Sequence, residues 1–152
     1  MKRVISIIAA CVMVIGLVAC GEKEVKNAGE CKIEQNGVEI KMVFDAKGDK
    51  ITTLHQTSEI DIEGFSKEDV EMLQETIDKA AEVYEDIDGV SYEIKQDDAE
   101  IIEKIDMNVG DKDTLKAVID KGLLPVTGDN VTQLSLKETK KSLETAGWTV
   151  EK

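Results

Sequence analysis

Apolar and polar positions along the chain fall into three regimes. From Val4 to Ala19 neither a charge nor a proline interrupts the apolar run. Beyond about Lys32 the period becomes two, the spacing of a half-buried strand, and from Ser66 it becomes three to four, the spacing of an amphipathic helix. Asn36-Gly37, set between Lys32-Ile33-Glu34 and Val38-Glu39-Ile40-Lys41-Met42, predicts a hairpin closed by a two-residue type I′ turn, because both turn residues tolerate positive φ. That turn pairs Ile33 with Ile40 and Cys31 with Met42. Cys31 then shares an apolar face with Val38 and Phe44, which makes it a core residue. Lys47-Gly48-Asp49 turns the chain into a third strand near Ile51 to Ile60, where alternation is too weak to define a register.

Ser66 with Asp69 three residues later forms the start of a helix, and Val70, Leu73, Ile77, Ala80, Ala81 and Tyr84 line its inward face. Met72, Thr76 and Val83 broaden that face. After Gly89, Val90-Ser91-Tyr92-Glu93-Ile94 alternates, Asp97-Asp98 makes a tight turn, and Ala99 to Val109 returns. A two-residue loop there sets Ile94 opposite Ile101, Tyr92 opposite Glu103 and Val90 opposite Ile105. A short helix through Leu115, Val118 and Ile119 ends at Gly122, with Asp113 as its N-cap and Pro125 in the connection beyond. Ser135-Leu136-Lys137-Glu138 opens a last helix carrying Leu143, and Trp148-Thr149-Val150 closes the chain as a strand. The order β-β-β-α-β-β-α-α-β runs strands in hairpins, so the expected class is α+β: an antiparallel sheet with helices on one face, a two-layer α-β sandwich.

The first regime has a different meaning. Lys2 and Arg3 precede the uncharged run, the layout of a secretory leader. Its sixteen residues span about 24 Å as a helix, short of the bilayer core that a permanent span needs. It ends Leu17-Val18-Ala19-Cys20-Gly21, which resembles the lipobox of bacterial lipoproteins. The resemblance implies cleavage after Ala19 and a diacylglyceryl group, typically with palmitate-like chains, on Cys20. Two acyl chains anchor stably where one is marginal. The expected organisation is therefore a signal peptide over 1–19, a lipidated cysteine with a flexible tether over 20–30, and a single domain over 31–152. The expected location is the extracytoplasmic face of the cell membrane.

Charge narrows the partners. With Lys2 and Arg3 gone, 17 basic residues face 32 acids and the mature side chains sum to −15. Arg3 is the sole arginine. A mature domain of this charge, without a guanidinium fork, excludes nucleic acid as a partner. A ten-residue tether, Gly21 to Glu30, has a root-mean-square span of about 17 Å, beyond the ~8 Å over which surface fields decay at physiological salt. Of three cysteines, Cys11 leaves with the leader and Cys20 takes the lipid, so Cys31 has no partner within the chain for a disulfide.

The segments Lys47-Gly48-Asp49-Lys50-Ile51, Gln56-Thr57, Gly64-Phe65-Ser66-Lys67-Glu68, Asp88-Gly89-Val90, Glu103-Lys104-Ile105 and Leu143 to Trp148 resemble the YehR-like bacterial lipoproteins, a small domain of unknown function. The resemblance runs from about Lys32 to the end and implies the same two-layer α-β sandwich. Trp148 departs from the phenylalanine expected at its position. The shared residues are turns, caps and core positions, so no catalytic role carries over.

Candidate chemistry is sparse. Nucleophile elbow and phosphate-loop patterns are missing from the sequence, and His55, the only histidine, has no cysteine close by. His55 on a Thr-rich strand reads as a surface side chain. Tyr84 to Lys95 imitates an EF-hand loop around Asp86, Asp88 and Gly89, but Tyr84 and Lys95 occupy the ligand positions at its two ends. No cofactor is expected. Asp97-Asp98 and Asp111-Lys112-Asp113 are weak metal candidates that also suit turns and caps. Three functions follow in order: a noncatalytic envelope module binding a protein or small ligand, a weak divalent-cation-binding domain, and an enzyme using carboxylates such as Glu103 and Asp106.

Overall fold

The computed structural model describes residues 23–126 and 130–151. The leader, the lipobox residues Leu17, Val18 and Ala19, and Cys20 lie outside the described residues. The chain runs β1 (Glu24–Gln35), β2 (Val38–Lys47), β3 (Lys50–Asp61), α1 (Lys67–Glu85), β4 (Val90–Gln96), β5 (Glu100–Met107), α2 (Lys112–Asp120), α3 (Leu136–Thr145) and β6 (Thr149–Val150). Among the described residues the fold is α+β: three helices and a six-stranded sheet ordered β4-β5-β3-β2-β1-β6 with every pair antiparallel.

The first hairpin forms as its turn dictates. Asn36 and Gly37 take φ of 54° and 79°, the left-handed pair that a type I′ loop needs. Ile33 pairs with Ile40 and Cys31 with Met42. Alternate residues of the sheet then meet the helices in one core: Cys31, Val38, Ile40, Met42, Phe44, Leu54, Ile60, Ile101, Ile105 and Met107 from strands, with Ile77, Tyr84, Leu115, Val118 and Leu143 from helices. The register of β3 pairs Phe44 with Leu54, Met42 with Gln56 and Ile40 with Ser58. Gln56 and Ser58 thus point into the core, where the Gln56 amide donates to the Ser58 hydroxyl at 3.3 Å. Two polar residues on the inward face are the reason that β3 alternates weakly in sequence.

Three expectations are corrected. The stretch expected as tether is largely strand: β1 begins at Glu24, which pairs with Lys47. The cause is Asp45, whose carboxylate accepts from the Lys26 ammonium at 2.7 Å and the Asn27 amide at 2.9 Å. Second, the β4–β5 turn slides by one residue. The Asp97 side chain accepts from the Ala99 and Glu100 amides, and the Asp97 amide donates to the Glu100 carbonyl, so the loop is Asp98-Ala99. Tyr92 consequently pairs with Ile105, Ile94 with Glu103 and Val90 with Met107, two residues from the predicted register. A shift of two keeps every side chain on its face, so the core set survives. Third, Asp111, not Asp113, caps α2, accepting from the Asp113 and Thr114 amides.

The remaining caps are those expected. Ser66 and Asp69 form a reciprocal capping box on α1. Ser135 accepts from the Glu138 amide at the start of α3, and its hydroxyl donates to Asp49 at 2.5 Å. Asp49 also accepts from the Leu136 and Lys137 amides, which ties the β2–β3 turn to α3. Gly89 is required where it stands: it has φ +82°, and a Cβ there would sit 2.4 Å from the Thr114 hydroxyl.

Candidate functional site

A charged cluster is centred on His55, on the side of the sheet opposite the core residues of β3. His55 lies directly across from Asp106 in β5 and diagonally from Asp45 in β2. Its Nδ1 is 2.5 Å from Asp106 Oδ1 and its Nε2 is 3.2 Å from Asp45 Oδ2. Carboxylate oxygens accept and do not donate, so a ring facing one with each nitrogen is fully satisfied only as the imidazolium. Partial burial opposes that charge, yet the hydrogen bonds to Asp106 and Asp45 prevail and hold the His55 pKa above its ordinary value.

Asp45 is the pivot of the cluster. It is 3% exposed and sits at a β-bulge, where the β2–β3 register shifts between Asp45 and Ala46. Burial pushes its carboxyl up, but the Lys26 and Asn27 hydrogen bonds, joined by His55, hold it below the usual carboxylate range. Glu24 extends the network, accepting from the Thr52 hydroxyl at 2.7 Å and lying 3.4 Å from the Lys26 ammonium. The arrangement clasps the first residues of β1 to the middle of the sheet. Sequence reasoning missed it because the β3 register, which alone brings His55 between Asp45 and Asp106, was open.

A second polar cluster occupies the core side. The Tyr92 hydroxyl donates to Glu103 at 2.5 Å, the contact expected from the sequence, though it is made diagonally and not between paired residues. Glu103 is 8% exposed. Tyr92 also stacks on Tyr84, with ring centroids 5.6 Å apart. Burial, then the Glu103 carboxylate, raises the Tyr92 pKa, and the same two causes push Tyr84 up to about 12. Both phenols therefore stay neutral, and Tyr92 donates to Glu103. Glu103 and Asp106, named together as enzyme candidates, alternate on β5 and so point to opposite faces of the sheet.

The weak metal candidates do not converge. Asp97 and Asp98 lie at the turn that opens β5, Asp111 and Asp113 beyond its far end. Asp97 and Asp111 spend their carboxylates on backbone amides, and those bonds lower the pKa of each. Among the described residues no three His, Cys, Asp or Glu side chains assemble as metal ligands. A different set of acids does gather: Glu34, Glu39, Glu59, Asp61 and Glu100, with Gly37 and Ala99, line a recess of about 410 Å³ at the β1–β2 hairpin end. Cys31 is wholly buried, and burial pushes its thiol up to about 11, which suits a core residue and not a nucleophile. Large apolar side chains exposed to solvent include Met72 (60%), Phe65 (40%) and Val83 on or beside α1.

Comparison with known proteins adds kinship without chemistry. A family model described as a protein of unknown function (DUF1307) matches residues 30–149. The uncharacterized lipoprotein Lmo0207 of Listeria monocytogenes is 32% identical over 155 aligned positions, covering 97% of this chain and 95% of the relative. The uncharacterized lipoprotein YehR of Escherichia coli is 25% identical, covering 95% of this chain and 88% of its own. The NMR structure of E. coli YehR superposes with a TM-score of 0.63 over 84% of this chain and 91% of that one, at 19% identity, a likeness of fold. An NMR structure from Streptococcus pneumoniae follows at a TM-score of 0.51.

Proposed function

The chain belongs to the DUF1307 family of proteins of unknown function, and from that premise we propose that it is a lipoprotein, held by acyl chains on Cys20 at the outer face of the cell membrane, whose domain is a noncatalytic binding module of the envelope. One observation carries the reading: a lipobox, Leu17-Val18-Ala19-Cys20, ends four residues before the first strand in a chain that aligns over 97% of its length with a relative named a lipoprotein. The binding role draws on Met72, Phe65 and Val83, apolar side chains left in water along α1. On this reading the sheet and helices form a two-layer sandwich, with its polar side, around His55, facing solvent. Labelling cells with a fatty-acid probe is expected to mark wild-type protein and leave Cys20→Ala unmarked; equal labelling overturns the anchor. A photo-crosslinker placed at Met72 is expected to give a discrete adduct in cells, and a pattern no different from one placed at exposed Lys104 overturns the binding role.

A second reading, divalent-cation binding, draws on the acids of the recess, which gather there without being set as a ligand group. At equal ionic strength, simple screening stabilises the domain alike with calcium and magnesium, whereas a specific site stabilises by RT ln(1 + [L]/Kd) for one ion. Melting curves in the two salts decide it. Equal, modest gains reject the site, and a saturating calcium-selective gain lost in Glu59→Gln with Asp61→Asn adopts it.

A further inference from the structure

Resting on that reading of Cys20, we infer that the domain stands on the membrane in one orientation, with a lysine-rich corner against anionic lipid headgroups and the acid-lined recess facing away. The corner is formed by the start of β1, the β2–β3 turn and the first turns of α3.

The first argument is covalent reach. Glu24 is in the sheet, paired with Lys47, and its end of the strand is clasped by Asp45 and Thr52. The four peptide steps from Cys20 to Glu24 span at most about 14 Å, fully extended. The acylated sulfur is at the headgroup level, so the end of the sheet that carries Glu24 cannot rise far from the surface. The opposite end, at the Asn36-Gly37 turn, is nine residues along β2 from Lys47, or about 30 Å. A tether of ten residues would have left the domain free to tumble; one of three or four does not.

The second argument is charge. Lys23 and Lys47 stand exposed at the Glu24 end by sequence and pairing, beside half-buried Lys50, whose ammonium donates to the Gly110 carbonyl. Lys137 opens α3 beside Asp49, and Lys140 packs its stem over Gly29 of β1, with Lys141 exposed next to it. Three acids of this corner are committed within the domain, Glu24 to Thr52 and Lys26, Asp45 to Lys26, Asn27 and His55, and Asp49 to Ser135 and the Lys137 amide, while Glu138 in the first turn of α3 and Asp111 beside Lys50 stand among the lysines. At the other end the balance reverses, with Glu34, Glu39, Glu59, Asp61 and Glu100 around the recess and Asp97 and Asp98 at the adjoining turn. One group of lysines therefore stands where the anchor would bring it within range of an anionic surface, and the acids of the recess stand at the far end of the sheet, where that repulsion is screened.

The experiment uses full-length lipidated protein in vesicles of phosphatidylcholine and phosphatidylglycerol that contain a headgroup-spin-labelled lipid. A fluorophore is attached to Lys47→Cys or to Gln35→Cys; buried Cys31 does not compete for the label. The expected result is at least twofold stronger quenching at position 47 than at position 35, with the contrast reduced by Lys137→Glu, Lys140→Glu and Lys141→Glu together. Equal quenching at 47 and 35 in protein that still floats with the vesicles overturns the orientation. A contrast unchanged by the triple substitution overturns the role of the lysines. Protein that fails to float with vesicles, as Cys20→Ala should, instead refutes the lipidation reading, so the two failures are told apart.

Discussion

Two polar clusters sit back to back on the middle of the sheet and handle charge in opposite ways. Tyr92 and Glu103 lie on the core side, where a neutral phenol donates to a carboxylate and a second ring stacks above. His55, Asp106 and Asp45 lie on the other side, where an imidazole faces a carboxylate with each ring nitrogen, with Lys26 behind them. Where water is excluded, a neutral donor satisfies the buried oxygen without a second charge to desolvate; where water reaches the ring, a cation is tolerated and full ion pairs form. The first cluster therefore belongs to packing, and the second makes the start of β1 sensitive to pH.

The largest effect expected from breaking this contrast is at Asp45, the one buried member of the charged cluster. Asp45→Ala removes the buried carboxylate that accepts from the Lys26 ammonium, the Asn27 amide and His55, whose donors water can reach, and should cost about 2 kcal/mol, read as a lower midpoint in urea. A loss under about 0.5 kcal/mol, the range of an ordinary surface substitution, would show that the clasp is ornamental. Tyr92→Phe comes next. It removes the donor to Glu103 while keeping the stacked ring, and leaving a buried acceptor unmet costs about 1.5 kcal/mol; an unchanged midpoint would mean that water reaches Glu103 after all.

The smallest effect is the pH dependence of His55, and its sign follows from the raised pKa. The folded state binds the proton more tightly than the unfolded chain, so the stabilisation is complete below the ordinary value of 6.5 and disappears as pH climbs through the folded value. Asp45 behaves oppositely: its lowered pKa contributes stability above 3.8 that is lost as pH falls through the folded value. The cluster is therefore complete only between these limits. His55 is more than a third exposed, so screening keeps its share below about 1 kcal/mol. Wild type should lose stability relative to His55→Gln between pH 6 and 9. Parallel curves for the two proteins would remove His55 from the clasp.

Local signals carried the hairpin, the caps and the class of fold. Asn36-Gly37 dictates a turn whose geometry counts the pairing outward, so Cys31 opposite Met42 was legible without any long-range knowledge. Ser66 with Asp69 and Ser135 with Glu138 mark helix starts because the bonds involved span three residues. The β4–β5 register was readable only to its parity: alternation assigns faces, but Asp97 chose which of two adjacent dipeptides turns.

What the sequence by itself determined is the order of elements and the set of residues that face the core; each follows from periodicity or from contacts a few residues apart. The tertiary structure alone decided that the sheet begins at Glu24, that His55 stands between Asp45 and Asp106, and that five acids gather in one recess at the β1–β2 hairpin end. Those facts join residues 10 to 51 positions apart. They depend on a bulge at Asp45 and on the register of a strand whose inward face carries Gln56 and Ser58, and no local pattern encodes a pairing that the strand's own alternation leaves ambiguous.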